Sequence, residues 1–297
     1  MPEGDTIWRT ARRLSEALAD EVIIGADLRW PGLSTADLRG MRTLEVASRG
    51  KNLLHRLDSG LTLHSHLRMD GQWRVETTEG LANRTLANPQ LRALVSTARW
   101  TALGIRLGEM HLLETRDEGR LFGHLGPDIL GTDWDAAEAA SRLAASRATI
   151  GAALLDQRNL AGVGTLYASE ALFLERLSPW HPAASLASAQ VRRVVERVHR
   201  LLNVNRHNAI QSTTGVQRHG ETSYVHGRSG RPCRRCGDAV RVSVIGVPPQ
   251  DRAFFYCPNC QGGLAPGDEG RRHGPLGSSA RSPGRSPGRS PGRRRLV

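Results

Sequence analysis

Lysine is almost absent from this sequence. Among its 41 lysine and arginine residues, Lys51 is the one lysine. Arginine serves wherever a permanent positive charge suffices, whereas a lysine ammonium is a compact charge whose pKa a protein can shift for chemistry. Chance can leave a single lysine in an arginine-rich chain. The other interpretation, which we favour, is that position 51 requires an amine.

Long apolar runs are also absent. No stretch near 18 residues is free of polar side chains, which argues against a membrane-spanning helix, and the polar, acidic start argues against a secretory signal. We therefore expect a cytoplasmic protein without a membrane partner. The length of 297 residues allows two domains, each with its own core.

Acidic residues are too few to balance the basic ones. The formal net charge is +12, which predicts a polyanionic partner and most economically nucleic acid. Residues 264–297 repeat Ser-Pro-Gly-Arg and carry eight arginines against Asp268 and Glu269, a net charge of +6. This composition cannot form a core, so we expect a disordered basic tail that adds non-specific affinity for phosphates. The rest of the excess charge lies in the folded part.

Cysteine is rare and confined to one segment. Two Cys-x-x-Cys pairs, Cys233 with Cys236 and Cys257 with Cys260, are separated by twenty residues. With no other cysteine and no secretory signal, four thiolates at this spacing predict one structural zinc ion in a ribbon of two hairpins. Arg252 lies at the tip of the second hairpin. Such a tip could enter a nucleic-acid groove, although a purely structural ribbon is the alternative.

The first four residues have the composition of a reactive site. They read Met1-Pro2-Glu3-Gly4, and because methionine is normally removed before a small residue, we expect Pro2 to provide a free secondary amine. An α-amino group has a pKa of roughly 7.7 to 8.0, so part of it is nucleophilic near neutral pH. Such an amine can attack an acetal-like or aldehyde carbon to form an iminium ion, with Glu3 moving the protons. The alternative is an ordinary Met-Pro start without chemistry.

Hydrophobic periodicity divides the chain into a β-rich part and a helical part. Spacings of three and four predict an amphipathic helix over residues 7–20, and short β-type segments separated by turn residues predict an antiparallel meander between residues 42 and 76. The predicted strands cover residues 43–47, 53–57, 61–66, 72–75, 100–107 and 110–114. The predicted helices cover residues 135–146, 149–157 and 166–175, and a last helix that is capped by Ser185 and ends near residue 204.

Two of the connecting turns are candidates for contacts to nucleic acid. Lys51 follows Gly50, which would let a phosphate approach closely. Met69 lies at the tip of the loop 67–70, where it either packs in the core or acts as an apolar wedge that fills the gap left by an extruded base.

A third turn, at residues 160–164, joins two predicted helices. It contains Gly162 and Gly164. Two helices joined through glycines can expose a cluster of backbone N–H groups to a phosphate. The alternative is a tight packing corner.

In this order, these features resemble the formamidopyrimidine-DNA glycosylase and endonuclease VIII family of base-excision repair enzymes. The similarity extends from residue 2 to about residue 263. The matching motifs are Met-Pro-Glu-Gly at 1–4, Ser-Arg-Gly-Lys at 48–51, Leu-Gly-Pro-Asp at 125–128, Leu-Leu-Asp-Gln at 154–157, Ala-Gly-Val-Gly at 161–164, His-Gly-Arg at 226–228 and the segment 251–261.

The resemblance implies a bifunctional DNA glycosylase and abasic-site lyase that acts on double-stranded DNA with damaged bases or abasic sites. Pro2 would attack C1′ of a flipped-out nucleotide to form a Schiff base, Glu3 would support proton transfer, and β- and then δ-elimination would cut the strand. Lys51 would contact phosphate and sugar oxygens near the lesion, and Arg252 would grip the flanking phosphates. Met69 would be the wedge, and the zinc ion would be structural.

Three positions depart from the family's usual motifs. Thr6 replaces a second glutamate and Asp5 replaces a proline, so the family's second proton relay is absent unless Asp5 substitutes for it. Thr165 replaces an asparagine that follows Gly164 in the phosphate-binding corner. The resemblance implies DNA contacts at Gly162, Gly164 and Thr165, and a hydroxyl at position 165 would bind phosphate more weakly than an amide.

The implied fold class is α+β. We expect an N-terminal catalytic domain, an antiparallel β-sandwich flanked by helices, at residues 1–134, and a helix-two-turn-helix DNA-binding domain at residues 135–225. The four-cysteine zinc ribbon would cover residues 226–263, and the tail residues 264–297. The family also suggests a monomer that associates with the nucleoid.

Substrate choice within the family depends on loops. Residues 205–225 look shorter than in the oxidised-purine branch, where an extended loop covers the flipped base. Together with Glu3-Gly4, this resembles the endonuclease VIII branch, so we expect oxidised pyrimidines to be the substrates. The alternatives are a glycosylase for 8-oxoguanine and formamidopyrimidines, a damaged-DNA-binding protein that has lost catalysis, and a zinc-ribbon regulator that reads sequence.

Overall fold

Two large hydrophobic cores organise residues 2–270, which are the residues that the computed structural model describes. The first core lies between two sheets and the first helix and contains Ile7, Leu14, Val46, Leu63 and Trp73. The second lies among the C-terminal helices and contains Ile129, Leu154, Tyr167, Val194 and Phe254. The predicted α+β class is therefore confirmed. Most of the expected tail, residues 271–297, lies outside the described residues.

Eight antiparallel strands form the two sheets of the first part. In chain order they are β1 (Gly25–Leu28), β2 (Thr43–Arg49), β3 (Asn52–Leu57), β4 (Leu61–His66), β5 (Gln72–Thr77), β6 (Leu91–Ser96), β7 (Trp100–Ile105) and β8 (Glu109–Glu114). One sheet has the order β1-β6-β7-β5 and the other the order β2-β3-β4-β8. The chain therefore has the expected pair of antiparallel sheets.

The predicted meander is correct only for β2, β3 and β4. β5 leaves that sheet and pairs with β7, so that Trp73 lies opposite Gly104, and β8 takes its place beside β4. The prediction failed because β-type residues between turns identify a strand but not its partner. β1, which has four residues, and β6 were not predicted.

Seven α-helices complete the fold within residues 2–270. They are α1 (Gly4–Leu18), α2 (Asn83–Leu86), α3 (Glu118–Phe122), α4 (Ala136–Ala145), α5 (Ile150–Leu155), α6 (Thr165–Leu174) and α7 (Ser188–Asn205). α1 packs Ile7, Ala11 and Leu14 into the first core. It begins three residues earlier than the periodicity predicted, directly after Glu3.

The predicted cap of the last helix is wrong. α7 begins at Ser188, whereas Ser185 ends a short 3-10 helix. Leu186 is buried between the two, which keeps the chain extended there. The side-chain oxygen of Gln190 accepts a hydrogen bond from the N–H of Ala187 at 3.1 Å and so caps the helix. The predicted apolar stripe is otherwise buried, except that Leu201 is only half-buried.

The C-terminal hairpin consists of β9 (Arg241–Ile245) and β10 (Arg252–Tyr256). Phe254 of this hairpin is buried in the second core, which fixes the hairpin to the helices. Residues 264–270, which we had assigned to the tail, fold back on the hairpin because Asp268 accepts hydrogen bonds from Arg241 at 2.8 Å and Tyr256 at 2.9 Å. Within residues 2–270, no helix combines the length and apolar character that crossing a membrane requires.

Candidate active site

The N-terminal segment is joined to the glycine turn that precedes α6. The N–H of Gly4 donates a hydrogen bond to the carbonyl of Gly162 at 2.8 Å. A Cβ atom on Gly4 would lie 3.1 Å from Gly162 Cα. Gly162 itself has φ +101°, a conformation that favours glycine. Close contact of two glycine backbones thus holds Pro2 at the junction of the two cores.

The Glu3 carboxylate binds the N-terminal end of α6. Its two oxygens accept hydrogen bonds from the backbone N–H groups of Gly164 at 2.7 Å and Leu166 at 2.8 Å. These N–H groups belong to the unpaired first turn of a helix, which favours a negative charge. A Cβ atom on Gly164 would lie 2.5 Å from Glu3 Cδ, so this approach requires glycine at position 164.

Burial controls the protonation of Glu3. The side chain is completely buried, and burial raises its pKa from 4.5 to about 7, although the charge of Lys51 and the two N–H donors oppose the increase. A carboxyl group with this pKa is present in both protonation states near neutral pH. It can therefore donate a proton and accept one in the same reaction cycle.

Lys51 lies in the two-residue turn between β2 and β3. Gly50 has φ +57°, and its N–H donates to Asp128 at 2.8 Å, which ties the turn to the segment that leads into the helices. Burial lowers the pKa of Lys51; Glu3 opposes this effect and the charge of Arg252 adds to it. The fold therefore brings Lys51 within electrostatic reach of both Glu3 and Arg252.

Arg252 is the first residue of β10 and is exposed. Its guanidinium donates a hydrogen bond at 2.7 Å to the carbonyl of Asp251, and no acidic side chain of residues 2–270 forms a salt bridge with it. The hairpin tip therefore presents a positive charge towards the side of the molecule that contains Lys51.

Met69 is exposed on the loop between β4 and β5. Its exposed fraction is 63%, so the alternative in which it packs in the core is wrong. The preceding Arg68 has φ +50° and forms an ion pair with Glu109 at 3.1 Å. The loop is close to Lys51: the N–H of Arg68 donates a hydrogen bond to His66 at 2.9 Å, and His66 lies opposite Asn52, the residue after Lys51.

The glycine turn at residues 160–164 does not offer the expected free amides. The N–H of Gly162 donates to Gln157 at 3.0 Å, and the N–H of Gly164 is bound to Glu3. Thr165 is buried. The turn at Gly162 and Gly164 is therefore better described as a tight packing corner than as an exposed phosphate site. The carboxylate that it binds is that of Glu3.

A second buried carboxylate lies beside the first. Asp5 accepts two hydrogen bonds from Gln211, at 2.8 Å and 3.0 Å, and the same amide reaches Thr6 at 3.3 Å. Burial raises the pKa of Asp5, and the Gln211 hydrogen bonds oppose the increase. Gln211 was not predicted as a site residue, since no sequence pattern connects positions so far apart.

The four cysteines cluster at the end of the β9–β10 hairpin where β10 leads into Cys257. Their sulfur atoms all lie within 4.8 Å of one another, with 4.0 Å between Cys233 and Cys260 and 3.5 Å between Cys236 and Cys257. Four sulfurs around tetrahedral zinc, at Zn–S distances of about 2.3 Å, are separated by about 3.8 Å. The residues therefore fit the predicted zinc ion.

Comparison with protein families identifies the fold. Residues 1–124 match the formamidopyrimidine-DNA glycosylase N-terminal domain, and residues 125–217 match the formamidopyrimidine-DNA glycosylase H2TH domain. The chain belongs to this family. The resemblance found in the motifs is thus confirmed, and with it the assignment to a family of DNA glycosylases and abasic-site lyases.

Individual family members agree with this assignment over nearly their whole length. The chain is 46% identical to a probable endonuclease 8 2 of Streptomyces coelicolor, over 91% of this chain and 98% of the relative. It is 39% identical to the DNA-(apurinic or apyrimidinic site) lyase Nei2 of Mycolicibacterium smegmatis, over 88% of this chain and 99% of the relative. A crystal structure of Lactococcus lactis Fpg bound to DNA with an abasic site shares the fold, with a TM-score of 0.73 and 23% sequence identity. The match covers 88% of this chain and 99% of the Lactococcus chain.

Proposed function

We propose that this family member is a bifunctional DNA glycosylase and abasic-site lyase that removes oxidised pyrimidines through a Schiff base on Pro2. The observation that carries the proposal is the position of Glu3, which is bound to the first turn of α6 immediately next to Pro2. A nucleophilic amine and a carboxyl group with a pKa of about 7 are the two groups that this chemistry requires.

The first step joins Pro2 to the sugar. After removal of Met1, the secondary amine attacks C1′ of an extruded nucleotide, the bond from C1′ to the base breaks, and the base leaves with the bonding electrons and takes up a proton. Opening of the sugar ring gives an iminium ion between Pro2 and C1′. Glu3 is proposed to supply and take back protons in these exchanges.

The iminium ion then makes the sugar susceptible to elimination. Loss of a proton from C2′ expels the 3′ phosphate, and loss of a second proton from C4′ expels the 5′ phosphate. Hydrolysis of the iminium releases the sugar fragment and regenerates the amine. The strand is therefore cut on both sides of the lesion without a metal-dependent step.

Two cations are proposed to hold the DNA backbone around this amine. Lys51 is half-buried beside Glu3 and would contact phosphate and sugar oxygens next to the lesion. Arg252 is exposed and has a free guanidinium edge for the flanking phosphates. Their mutual repulsion, which contributes to the lowered pKa of Lys51, would be relieved when a phosphate binds between them.

Met69 is proposed to fill the space of the extruded nucleotide. An apolar side chain exposed at a loop tip is of the kind that proteins insert between base steps. Contacts of Gly162, Gly164 and Thr165 with DNA remain predictions. The internal hydrogen bonds of the two glycine amides make a positioning role for Glu3 the better supported one.

The proposed zinc ion has a structural role. When four thiolates fill the coordination sphere, no position remains open for a substrate. Cys233, Cys236, Cys257 and Cys260 would hold the ribbon in shape, and the ribbon presents Arg252 from the start of β10.

Two observations favour oxidised pyrimidines over oxidised purines. Relatives at 46% and 38% identity are named as endonuclease 8 proteins, whereas relatives at 34%, 33% and 30% identity are named formamidopyrimidine-DNA glycosylase. In addition, Gln211 holds the segment after α7 against Asp5, which shortens the free loop available to cover a flipped base. A panel of duplexes, each with one defined lesion, tests this choice by strand cutting: thymine glycol should be cut faster than 8-oxoguanine.

Reductive trapping with borohydride tests the proposed chemistry. The wild-type protein should become covalently attached to an abasic duplex, and Pro2→Gly should lose most of that adduct. Pro31→Gly, at an exposed turn proline, is the matched control and should trap normally. A binder without catalysis would give no adduct at all. A protein that reads sequence would discriminate between undamaged duplexes instead.

A further inference from the structure

Three side chains on the β2-β3-β4-β8 sheet have the composition of a metal site outside the proposed active site. His64 of β4 and His111 of β8 lie opposite each other in register. Glu109 precedes His111 by two positions and so projects from the same face of the sheet. One potential ligand atom from each of the three residues lies within 4.8 Å of the others.

His64 has an unused nitrogen in a buried position. The residue is 2% exposed, and its Nε2 atom lies 3.0 Å from the side-chain oxygen of Asn52. Because that oxygen can only accept, Nε2 carries the proton and Nδ1 presents a lone pair. Nδ1 is buried and has no hydrogen-bond partner among the described residues. A buried unpaired nitrogen costs free energy, which a bound ion would recover.

The surroundings of His64 are those of a metal ligand. Histidines that bind metal usually donate their other N–H to an oxygen acceptor, which fixes the ring and its tautomer, and Asn52 provides that acceptor. Phe122 packs edge-on against the His64 ring, with ring centroids 5.2 Å apart, and limits its rotation.

The other two side chains can move to complete a site. His111 stacks nearly parallel to His64, with ring centroids 5.5 Å apart and an angle of 10°, and it contacts Glu109 at 3.2 Å. The side chains of His111 and Glu109 are 46% and 37% exposed. Ligand atoms in a tetrahedral site with bonds of about 2.1 Å are about 3.4 Å apart. Small rotations of these exposed side chains would therefore enclose an ion.

We propose that His64, Glu109 and His111 bind a divalent transition-metal ion, with zinc as the reference ion and water in the remaining position. Two imidazoles and one carboxylate are a ligand set that suits zinc and its neighbours in the first transition row. This ion is additional to the one expected at the four cysteines, and its binding does not depend on the proposed reaction.

The site is coupled to the loop that contains Met69. Glu109 forms the ion pair with Arg68 at 3.1 Å, and Arg68 precedes Met69 in the chain. Arg68 holds Oε2 of this carboxylate, whereas His111 contacts Oε1. A metal ion on Oε1 therefore competes with the positive charge of Arg68 for the negative charge of Glu109, and removal of Arg68 strengthens metal binding.

Calorimetric titration with zinc of tag-free protein whose cysteine site is already loaded tests the proposal. The wild type should bind one further ion, and His111→Ala and Glu109→Gln should each abolish that event. His181→Ala, which removes an exposed histidine elsewhere, should bind as the wild type does. Arg68→Gln should bind more tightly. A cobalt titration should give weak absorption bands without the intense bands of thiolate ligands.

Several results would overturn the proposal. They are a wild type that binds no further ion, a further ion retained in His111→Ala, and thiolate bands in the cobalt spectrum. An unchanged affinity in Arg68→Gln would overturn the competition with Arg68. Melting curves recorded without metal establish that each variant is folded. If His111→Ala is unstable, the zinc titration of Glu109→Gln tests the proposal instead.

Discussion

Gln211 donates two hydrogen bonds to the carboxylate of Asp5, at 2.8 Å and 3.0 Å, although 206 positions separate the two residues. The amide joins the segment after α7 to the helix that begins at Gly4. Asp5 is buried, so its charge depends on this partner. The pair therefore connects the loop that we associate with substrate choice to the proposed nucleophile at Pro2.

Replacement of Gln211 with alanine should destabilise the protein and impair catalysis. Loss of the amide leaves a buried carboxylate with fewer donors, which costs about 1–3 kcal/mol, and frees the N-terminal segment to move. Urea unfolding measures the first effect and borohydride trapping the second. Gln217→Ala, at an exposed position of the same segment, should change neither. If Gln211→Ala and Gln217→Ala had the same stability and trapped equally well, Gln211 would have no role in the active site.

Replacement of Gly164 with alanine should displace Glu3. The added Cβ would lie 2.5 Å from Glu3 Cδ, so the carboxylate must leave the first turn of α6. We expect strand cutting to fall at least about tenfold, which corresponds to about 1.4 kcal/mol of transition-state stabilisation. Gly119→Ala is the control, because a Cβ there meets nothing within 4 Å. Full activity in Gly164→Ala would show that the hydrogen bonds from Gly164 and Leu166 to Glu3 are not required for strand cutting.

The raised pKa of Glu3 predicts a specific dependence of stability on pH. Because the folded-state pKa is about 7 and the ordinary value is 4.5, the folded protein holds this proton more tightly than the unfolded chain. Stability from this group is fully present below pH 4.5 and is lost as the pH rises through 7. Relative to Glu3→Gln, the wild type should lose about 3 kcal/mol of unfolding free energy over this range.

Unfolding of both proteins at pH 5 and pH 8 measures this difference, since all other titrating groups are common to the two. A difference that does not change with pH would place the pKa of Glu3 near its ordinary value. In that case a proton-donating role for Glu3 near neutral pH would be excluded. The same variant should also lose strand-cutting activity.

Loss of zinc should weaken DNA binding without unfolding the β-sandwich. Cys236 is exposed, so Cys236→Ser removes a metal ligand with little loss of packing. Zinc bound at the four-cysteine site should fall from one ion per chain to almost none, and affinity for an abasic duplex should fall because Arg252 is no longer held. Cys236→His keeps a zinc ligand of a permitted type and should restore both. Unchanged DNA affinity in a zinc-free Cys236→Ser protein would argue for a ribbon without contact to DNA.

Local patterns in the sequence predicted much of the fold. The β-type residues of β3 and β4 between their turns, and the apolar stripe of α7, depend on neighbours within a few positions. The bounds of β3 and β4 were nearly correct. The spacing of the four cysteines was sufficient to predict their cluster, because each Cys-x-x-Cys pair brings two ligands together in a single turn. The sheet that β5 joins could not be predicted, since the residues within a strand do not specify which strand it pairs with.

The parts of the site that depend on distant contacts were missed or misinterpreted. The amides of Gly162 and Gly164 were expected to face a phosphate, but Gly164 is bound to Glu3, which is 161 positions away. Gln211 was missed for the same reason. His64 and His111 come together only because β8, rather than β5, pairs with β4. Such contacts follow from the packing of whole sheets and helices, which periodicity does not specify.

The most direct test of the central claim is mass spectrometry of the protein after reductive trapping on an abasic duplex. The peptide that carries the reduced sugar should begin at Pro2, with the sugar on its terminal nitrogen and Met1 absent. A crosslink on Lys51, or an adduct in a protein that retains Met1, would contradict the proposed role of Pro2 as the nucleophile.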